Sequence, residues 1–295
     1  MITIEPGKIP TRDLHQYLLG SVSPRPIAFV STIDKDGNPN LAPYSFFNCF
    51  SSNPPILVFS SNRRVVNNTT KDTLANVMAT KEAVVNVVNH DIVRQMSVTA
   101  IEFDANESEF EKAGLTPIPS EEVKPFRVKE SPVHMECKVQ EIITLGEHGG
   151  AGHLIICKVV KMHIDENVVD ENNRIDPHKI DLMGRMGRAY YVRASGEAVS
   201  TIIQPVTQRS IGYDNLPKSI QESNILTGNN IGQLAGLHEK PNEADILALK
   251  DDDNIKALLT LANPIESLHH YAKEILEDDS ERALAARVAW LGEFL

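Results

Sequence analysis

An early stretch of the chain, residues 24–64, alternates short apolar runs with turn residues, a pattern typical of closely spaced strands. Pro26 to Ile33 is an apolar, β-branched run, and Asp34 to Gly37 closes it with a tight turn. Further strands are predicted over residues 40–46 and 55–60, each bounded by proline or asparagine. The pattern therefore predicts three short strands joined by turns.

The middle of the chain continues this strand-rich pattern and adds short helices. Apolar residues alternate with polar ones from residue 135 to 140, residues 146–152 form a glycine-rich turn, and residues 153–164 return as a second strand. Short helices are predicted at residues 72–81 and 107–113. A run of strands with turns between them favours a closed or nearly closed barrel.

After residue 207 the apolar positions follow the helical period of 3.6 residues. Ile265, Leu268 and Ala272 belong to one apolar stripe, and Pro264 suits the first turn of that helix. We therefore divide the chain into a domain over residues 1–206 and a helical extension over residues 207–295. The pattern assigns no task to the extension.

Composition narrows the class of protein. The chain has 295 residues, of which 41% are hydrophobic and 23% are charged, as in ordinary globular proteins. No apolar run approaches the roughly 20 residues that span a bilayer, and no export signal precedes the domain, so we expect a cytoplasmic protein without membrane segments. Three cysteines without CxxC spacing predict buried thiols and no metal site. A net charge of −11 argues against nucleic-acid binding.

Small polar side chains cluster where the predicted strands end. These are Ser31, Thr32, Ser45, Asn48, Ser51, Ser52, Ser60, Ser61 and Asn62. Hydroxyls and amides can satisfy phosphate oxygens and ring carbonyls with little bulk. Lys71, Asp72 and Thr73 begin the next helix, with Asp72 or Thr73 as its cap, and a lysine beside free helical N–H groups is an anion site. Together they predict a phosphate-bearing cofactor at the edge of the barrel.

Four strings in order, PRPIAFVST, DGNPNLAPYSFFN, SSNPPILVFS and KDT, resemble the flavin reductase-like family. The resemblance spans residues 14–195. It implies a mainly β fold, the FMN-binding split β-barrel with Greek-key topology and short inserted helices, to which this chain adds a C-terminal α-helical extension.

The resemblance also implies which residues bind the cofactor. FMN is expected, with FAD as the alternative. The residues it assigns to cofactor binding are Arg25, Ser31, Thr32, Ser45, Phe46, Asn48, Ser60, Lys71, Thr73 and Arg185. Taken singly, each has an ordinary interpretation as a turn former, a core aromatic or a surface charge.

The activity implied is hydride transfer from NADH or NADPH to flavin, with a homodimer as the assembly and an electron-acceptor protein as an additional partner. Many family members carry a Gly-Asp-His turn implicated in nicotinamide binding; here Gly152-His153 occupies a similar hairpin without the aspartate. His153 is therefore a candidate for nicotinamide contact at a turn that lacks the family's aspartate. The alternative function is a flavoredoxin-like electron carrier that does not react directly with a nicotinamide.

Overall fold

The computed structural model describes residues 1–104, 107–202 and 208–295. The chain divides into two compact units, Met1–Val199 (unit 1) and Ser200–Leu295 (unit 2). The boundary predicted from the sequence, between residues 206 and 207, lies outside the described residues.

Within its described residues, unit 1 contains the strands and five α-helices. The strands are β1 (Ala28–Ile33), β2 (Pro39–Tyr44), β3 (Phe47–Ser52), β4 (Pro55–Ser60), β5 (Glu82–Val87), β6 (Pro117–Ile118), β7 (Arg127–Val128), β8 (Val133–Thr144), β9 (His153–Ile164), β10 (Leu182–Arg185) and β11 (Tyr191–Ala194). The helices are α1 (Thr11–Ser21), α2 (Asp72–Thr80), α3 (Val93–Val98), α4 (Glu109–Ala113) and α5 (Pro177–Ile180).

Seven strands form one antiparallel sheet in the order β2-β1-β5-β8-β9-β4-β3. Its two edge strands, β2 and β3, are consecutive in the chain and are joined only by Ser45 and Phe46. The sheet must therefore curl until its two edges approach each other. Closure into a barrel stays a prediction, since no hydrogen-bonded pairing of β2 with β3 occurs among the described residues.

The core of the curled sheet contains inward-facing residues from strands that are distant in the sheet order. Val30 of β1, Tyr44 of β2, Phe59 of β4 and Ile155 of β9 belong to one buried cluster, and α2 adds Val77. The rings of Tyr44 and Phe59 lie 5.1 Å apart. The alternating pattern that predicted the strands thus places one apolar face of each inside the curl.

Helix α2 packs on this core and begins at the end of an ordered loop. Its cap is Lys71, in an extended conformation, and not Asp72 or Thr73 as we predicted from side-chain type. The helix ends at Lys81, which adopts a left-handed conformation with φ 58°. The backbone conformation fixes where the helix begins, and side-chain preference alone does not predict that conformation.

The sequence pattern missed β3. Residues 47–52 are mostly polar or exposed, as an edge strand with one partner allows, so they lack the apolar alternation of the other strands. Cys49, on this strand, is exposed, whereas Cys137 and Cys157 are buried. The expectation of three buried thiols is therefore wrong for Cys49.

In its described residues unit 2 consists of helices joined by turns and loops, without a strand. Its α-helices are α6 (Lys218–Gln221), α7 (Gly228–Ala235), α8 (Glu243–Ala248), α9 (Asp253–Leu259), α10 (Pro264–Ile275) and α11 (Arg282–Trp290). They surround a hydrophobic cluster of their own, which includes Leu268 and Trp290. In the described part of the chain helical residues outnumber strand residues, so the prediction of a mainly β protein is wrong for the chain as a whole.

Candidate functional site

The N-terminus of α2 has the geometry of an anion-binding site, and the side chain of the cap residue does not fill that site. The Lys71 side chain makes no capping hydrogen bond, so N–H groups of the first helical turn remain available to a ligand. Thr73 is fully buried, and its Oγ1 accepts a hydrogen bond of 2.9 Å from Asn40 Nδ2. Asn40 comes from β2, so this strand fixes the first turn of the helix.

The Lys71 ammonium is half-buried and lies 5.0 Å from the centre of the Tyr44 ring. Burial, and then repulsion from Arg64, lowers the pKa of Lys71, while Glu102 opposes the shift. Among the described residues no carboxylate forms an ion pair with Lys71, because Glu102 pairs with Arg64 at 2.9 Å. Lys71 is thus a desolvated cation that a bound anion would stabilise.

Arg64 is held by its own loop. Its guanidinium donates hydrogen bonds of 2.8 Å to Thr69 Oγ1 and to the Thr70 carbonyl, in addition to its pair with Glu102. The positive charge of Arg64 remains near Lys71, but its Nη1 and Nη2 groups already have partners. A cavity of about 270 Å³ lies beside both cations and is also lined by Asn40, Thr73 and Glu109.

Two buried hydroxyls near this cation lack hydrogen-bond partners in the described residues. Tyr44 Oη and Ser61 Oγ are both buried and unpartnered. Burial raises the pKa of Tyr44 to about 12, and the nearby hydroxyls of Thr73 and Ser61 oppose that rise without good hydrogen-bond geometry. A buried hydroxyl without a partner costs about 1–3 kcal/mol, and the described structure leaves that cost uncompensated at both groups.

Ser31 and Thr32, both predicted to bind the cofactor, face opposite sides of β1. Thr32 is fully buried on the core side, where its Oγ1 accepts hydrogen bonds from Asn40 at 3.3 Å and Asn76 at 3.1 Å. Ser31 is also fully buried, and its Oγ has no partner in the described structure. Because successive strand residues alternate in direction, the two side chains do not converge on one point.

Ser45, Phe46 and Ser60 are brought together where β2, β3 and β4 meet. The Ser60 N–H donates to the Phe46 carbonyl at 2.8 Å. Ser60 Oγ donates to Asn62 Oδ1 at 2.7 Å, and a Cβ at Gly152 would lie only 2.5 Å from Ser60 Oγ. The glycine-rich turn can therefore approach this corner closely, because Gly152 has no side chain.

Arg25 is a buried arginine whose donors serve the backbone. It donates to the carbonyls of Leu19 and Val22, both at 2.7 Å, and to Met186 at 3.2 Å. Its Nε lies 3.4 Å from Ser45 Oγ, and its guanidinium carbon lies 5.9 Å from the centre of the Phe46 ring. Arg25 thus ties α1 to the Ser45–Phe46 corner.

Arg185 pairs with Arg25 through the backbone, and the two exchange N–H···O hydrogen bonds of 2.8 and 2.9 Å. Its side chain donates to the Tyr190 carbonyl at 3.0 Å and lies 4.6 Å from the centre of the Tyr191 ring. Asn48 is exposed, and its Oδ1 accepts from the Cys49 N–H at 2.8 Å.

His153 is buried at the start of β9, with 4% of its surface exposed. Its Nδ1 lies 3.0 Å from the Ser61 carbonyl, and the two residues also exchange backbone hydrogen bonds of 3.1 Å. The ring is therefore engaged with Ser61, the residue that follows β4, and is not presented at the surface.

Eight of the ten predicted residues fall into two groups, and Ser31 and Asn48 belong to neither. Thr32, Lys71 and Thr73 gather at the start of α2, whereas Arg25, Ser45, Phe46, Ser60 and Arg185 gather around the β2–β3 corner. Sequence reasoning missed Tyr44, which lies within the second string, and Arg64, which lies four residues after the third. The available signal was an aromatic residue and a cationic residue close to the polar ends of the strands.

Within the described residues, no group of three or more His, Cys, Asp or Glu side chains is arranged to hold a metal ion. In the same part of the chain, no helix is both long and apolar enough to cross a bilayer.

These residues lie within a segment that identifies the family. Residues 19–188 match the flavin reductase like domain, and the chain belongs to that family. An uncharacterized protein of Aquifex aeolicus (strain VF5) is 43% identical over 184 residues, which are 62% of this chain and 91% of that protein. Unit 2 lies outside the residues that match the family.

Solved structures agree with this family. Nitrilotriacetate monooxygenase component B from Bacillus cereus is 35% identical with a TM-score of 0.63, covering 68% of this chain and 98% of its own. Flavoredoxin of Desulfovibrio vulgaris (Miyazaki F) is 24% identical with a TM-score of 0.53, covering 68% of this chain and 97% of its own. The second likeness shows the fold alone.

Proposed function

We propose that this protein is an FMN-dependent NAD(P)H:flavin oxidoreductase whose cofactor phosphate binds at the start of α2. The observation that supports it best is Lys71, a half-buried ammonium with no carboxylate partner in the described residues, beside the open N-terminus of a nine-residue helix. A phosphate would satisfy both the cation and the helical N–H groups. Membership of the flavin reductase like domain family makes flavin the source of that phosphate.

The residues present fit such a group. Lys71, Thr73 and the first N–H groups of α2 would hold the phosphate, and the hydroxyls and backbone of the Ser45, Phe46 and Ser60 corner would face the rest of the cofactor. FMN is proposed before FAD because its terminal phosphate carries more negative charge than a bridging phosphate. A flavin held by these residues would supply the redox chemistry, which is hydride acceptance from a nicotinamide and onward electron transfer to oxygen, free flavin or a partner protein.

The other predicted residues have supporting roles in this proposal. Arg25 would hold Phe46 and the end of α1 in place, since its donors are already bound to carbonyl oxygens. Arg185 would fix the adjacent β10–β11 pair through Tyr191. Thr32 would orient Asn40 and thereby Thr73. Asn48 and Ser31 would contribute to cofactor binding through their backbone groups.

The test is steady-state oxidation of NADH and of NADPH by the purified protein with and without added FMN. The proposal predicts oxidation that depends on both protein and FMN, and the faster donor identifies the nicotinamide. Oxidation no faster than with FMN alone, for both donors, would contradict the reductase function.

One observation favours a second function, a flavin-bound electron carrier. His153, the residue we considered for nicotinamide contact, is buried against Ser61 and leaves no imidazole at the surface. A carrier would bind FMN as tightly but would remain oxidised with both nicotinamides until a chemical reductant or a partner protein supplied electrons.

We also propose a homodimer. The edge strand β3 exposes 69% of Phe50, and an exposed apolar side chain on an unpaired strand edge favours association. Light scattering should give twice the 32.6 kDa mass of one chain. The Phe50→Lys substitution should lower the measured mass toward that of one chain. A wild-type mass of one chain at micromolar concentration would contradict the dimer.

A further inference from the structure

The Tyr44 ring is a fixed platform under the Lys71 ammonium. Tyr44 is 6% exposed, belongs to the core cluster of the sheet and packs against Phe59 at 5.1 Å. Its ring therefore has little freedom to move. The Lys71 Nζ lies 5.0 Å from the ring centre, within the distance at which an ammonium is attracted to an aromatic face.

Nothing else in the described structure holds the Lys71 side chain in place. Its neighbour Glu102 pairs with Arg64, and Arg64 repels Lys71. A lysine has four rotatable carbon–carbon or carbon–nitrogen bonds, and an unheld ammonium loses binding energy when a ligand must order it. An aromatic ring that holds the ammonium in place before the ligand binds reduces that loss of binding energy.

We propose that Tyr44 is a positioning residue that presents the Lys71 ammonium to the phosphate monoester of the flavin, and that it thereby sets the preference for FMN over riboflavin. The inference rests on the proposed function. It assigns the role to the aromatic face and not to the hydroxyl, because Tyr44 Oη is buried and out of reach of a ligand at the surface.

The experiment measures dissociation constants for FMN and for riboflavin, which lacks the phosphate, by quenching of flavin fluorescence. It uses wild type, Tyr44→Phe, which keeps the ring, and Tyr44→Leu, which removes it. The same Leu substitution is made in a Lys71→Met background. Tyr17→Leu, which removes an exposed ring on α1, is the matched control. Circular dichroism confirms folding, and Tyr44→Met replaces Tyr44→Leu if the latter does not fold.

We expect Tyr44→Phe to keep the wild-type ratio of FMN to riboflavin affinity within about twofold. Tyr44→Leu should weaken FMN binding about three- to tenfold, the range of a partly desolvated cation–π contact, and leave riboflavin binding unchanged. In the Lys71→Met background the Leu substitution should have no effect on the ratio. Tyr17→Leu should change neither constant.

Three results would overturn the inference. Equal losses for Tyr44→Phe and Tyr44→Leu would assign the role to the hydroxyl. Equal losses of FMN and riboflavin affinity would mean a purely structural role, and a full effect of Leu in the Lys71→Met background would mean that the ring does not act through Lys71. A wild type without any preference for FMN over riboflavin would instead refute the proposed phosphate site itself.

Discussion

Lys71 combines burial, positive charge and a position at a helix start, three properties that favour a bound anion. Burial and Arg64 lower its pKa, so the ligand-free protein holds this charge at a cost that a phosphate would remove. Thr73 adds a buried hydroxyl at the same end of α2.

We predict that Lys71→Ala together with Thr73→Ala weakens FMN binding about 10- to 100-fold, because a charge-assisted hydrogen bond is worth about 1.5–3 kcal/mol. Flavin fluorescence titration measures the change. Lys81→Ala, at the other end of the same helix, is the control and should bind FMN as wild type does. An unchanged affinity in the double variant would remove the phosphate assignment.

Part of this site could be predicted from residue types alone. Lys71 and Thr73 follow from the helix-start pattern, and Thr32 from a polar position after an apolar run. The opposite directions of Ser31 and Thr32 also follow from strand alternation, which excludes a shared side-chain contact. The unpartnered hydroxyls of Tyr44 and Ser61 could not be predicted, because their burial depends on how β2, β4 and α2 pack together.

At the scale of elements, Glu136 of β8 fastens the loop before β7 to the sheet. It is fully buried, and its carboxylate accepts hydrogen bonds from the N–H groups of Glu121, Glu122 and Val123 and lies 2.7 Å from His163 Nε2. Burial would raise the pKa of Glu136, but these hydrogen bonds outweigh it and the pKa lies below its usual value.

A depressed carboxyl pKa stabilises the fold above the unfolded-state value of about 4.3, and this stability is lost as the pH falls through the folded pKa. We predict that Glu136→Gln lowers the free energy of unfolding by about 2 kcal/mol near neutral pH, and that the difference from wild type shrinks below about pH 4. Urea unfolding followed by circular dichroism measures both.

Glu141→Gln, at an exposed position of the same strand, is the matched control and should leave the free energy of unfolding unchanged. A Glu136→Gln protein as stable as wild type at neutral pH would show that the loop does not depend on this carboxylate.

The elements themselves were predictable to different degrees. Hairpin β8–β9 follows from the alternation over residues 135–140 and the glycine-rich turn after it, and α10 follows from its apolar stripe and Pro264. Strand β3 was not predictable, because an exposed edge strand satisfies half its backbone groups through β4 and needs no apolar face.

At the scale of the whole molecule, unit 2 has the hydrophobic core of an independent folding unit. Leu268 is fully buried in it, and Trp290, the only tryptophan in the sequence, is 6% exposed in the same cluster. Tryptophan fluorescence therefore reports the unfolding of unit 2, while flavin binding reports the integrity of unit 1.

We predict that Leu268→Ala lowers the midpoint of the tryptophan-detected thermal transition, since such core truncations cost about 2–5 kcal/mol, and leaves FMN affinity unchanged. Leu247→Ala, at a position of α8 that is 37% exposed, should have a much smaller effect. Parallel loss of FMN binding and of the tryptophan transition would mean that the two units unfold as one.

The most direct measurement of the central claim is an anaerobic absorbance titration of the FMN-reconstituted protein with NADH and then NADPH. The account predicts that the oxidised flavin band is lost with at least one donor, and that the Lys71→Ala, Thr73→Ala variant retains too little flavin to show it. A protein that binds no flavin would contradict both proposed functions. Bound flavin that stays oxidised until dithionite is added would contradict the reductase and leave the electron carrier.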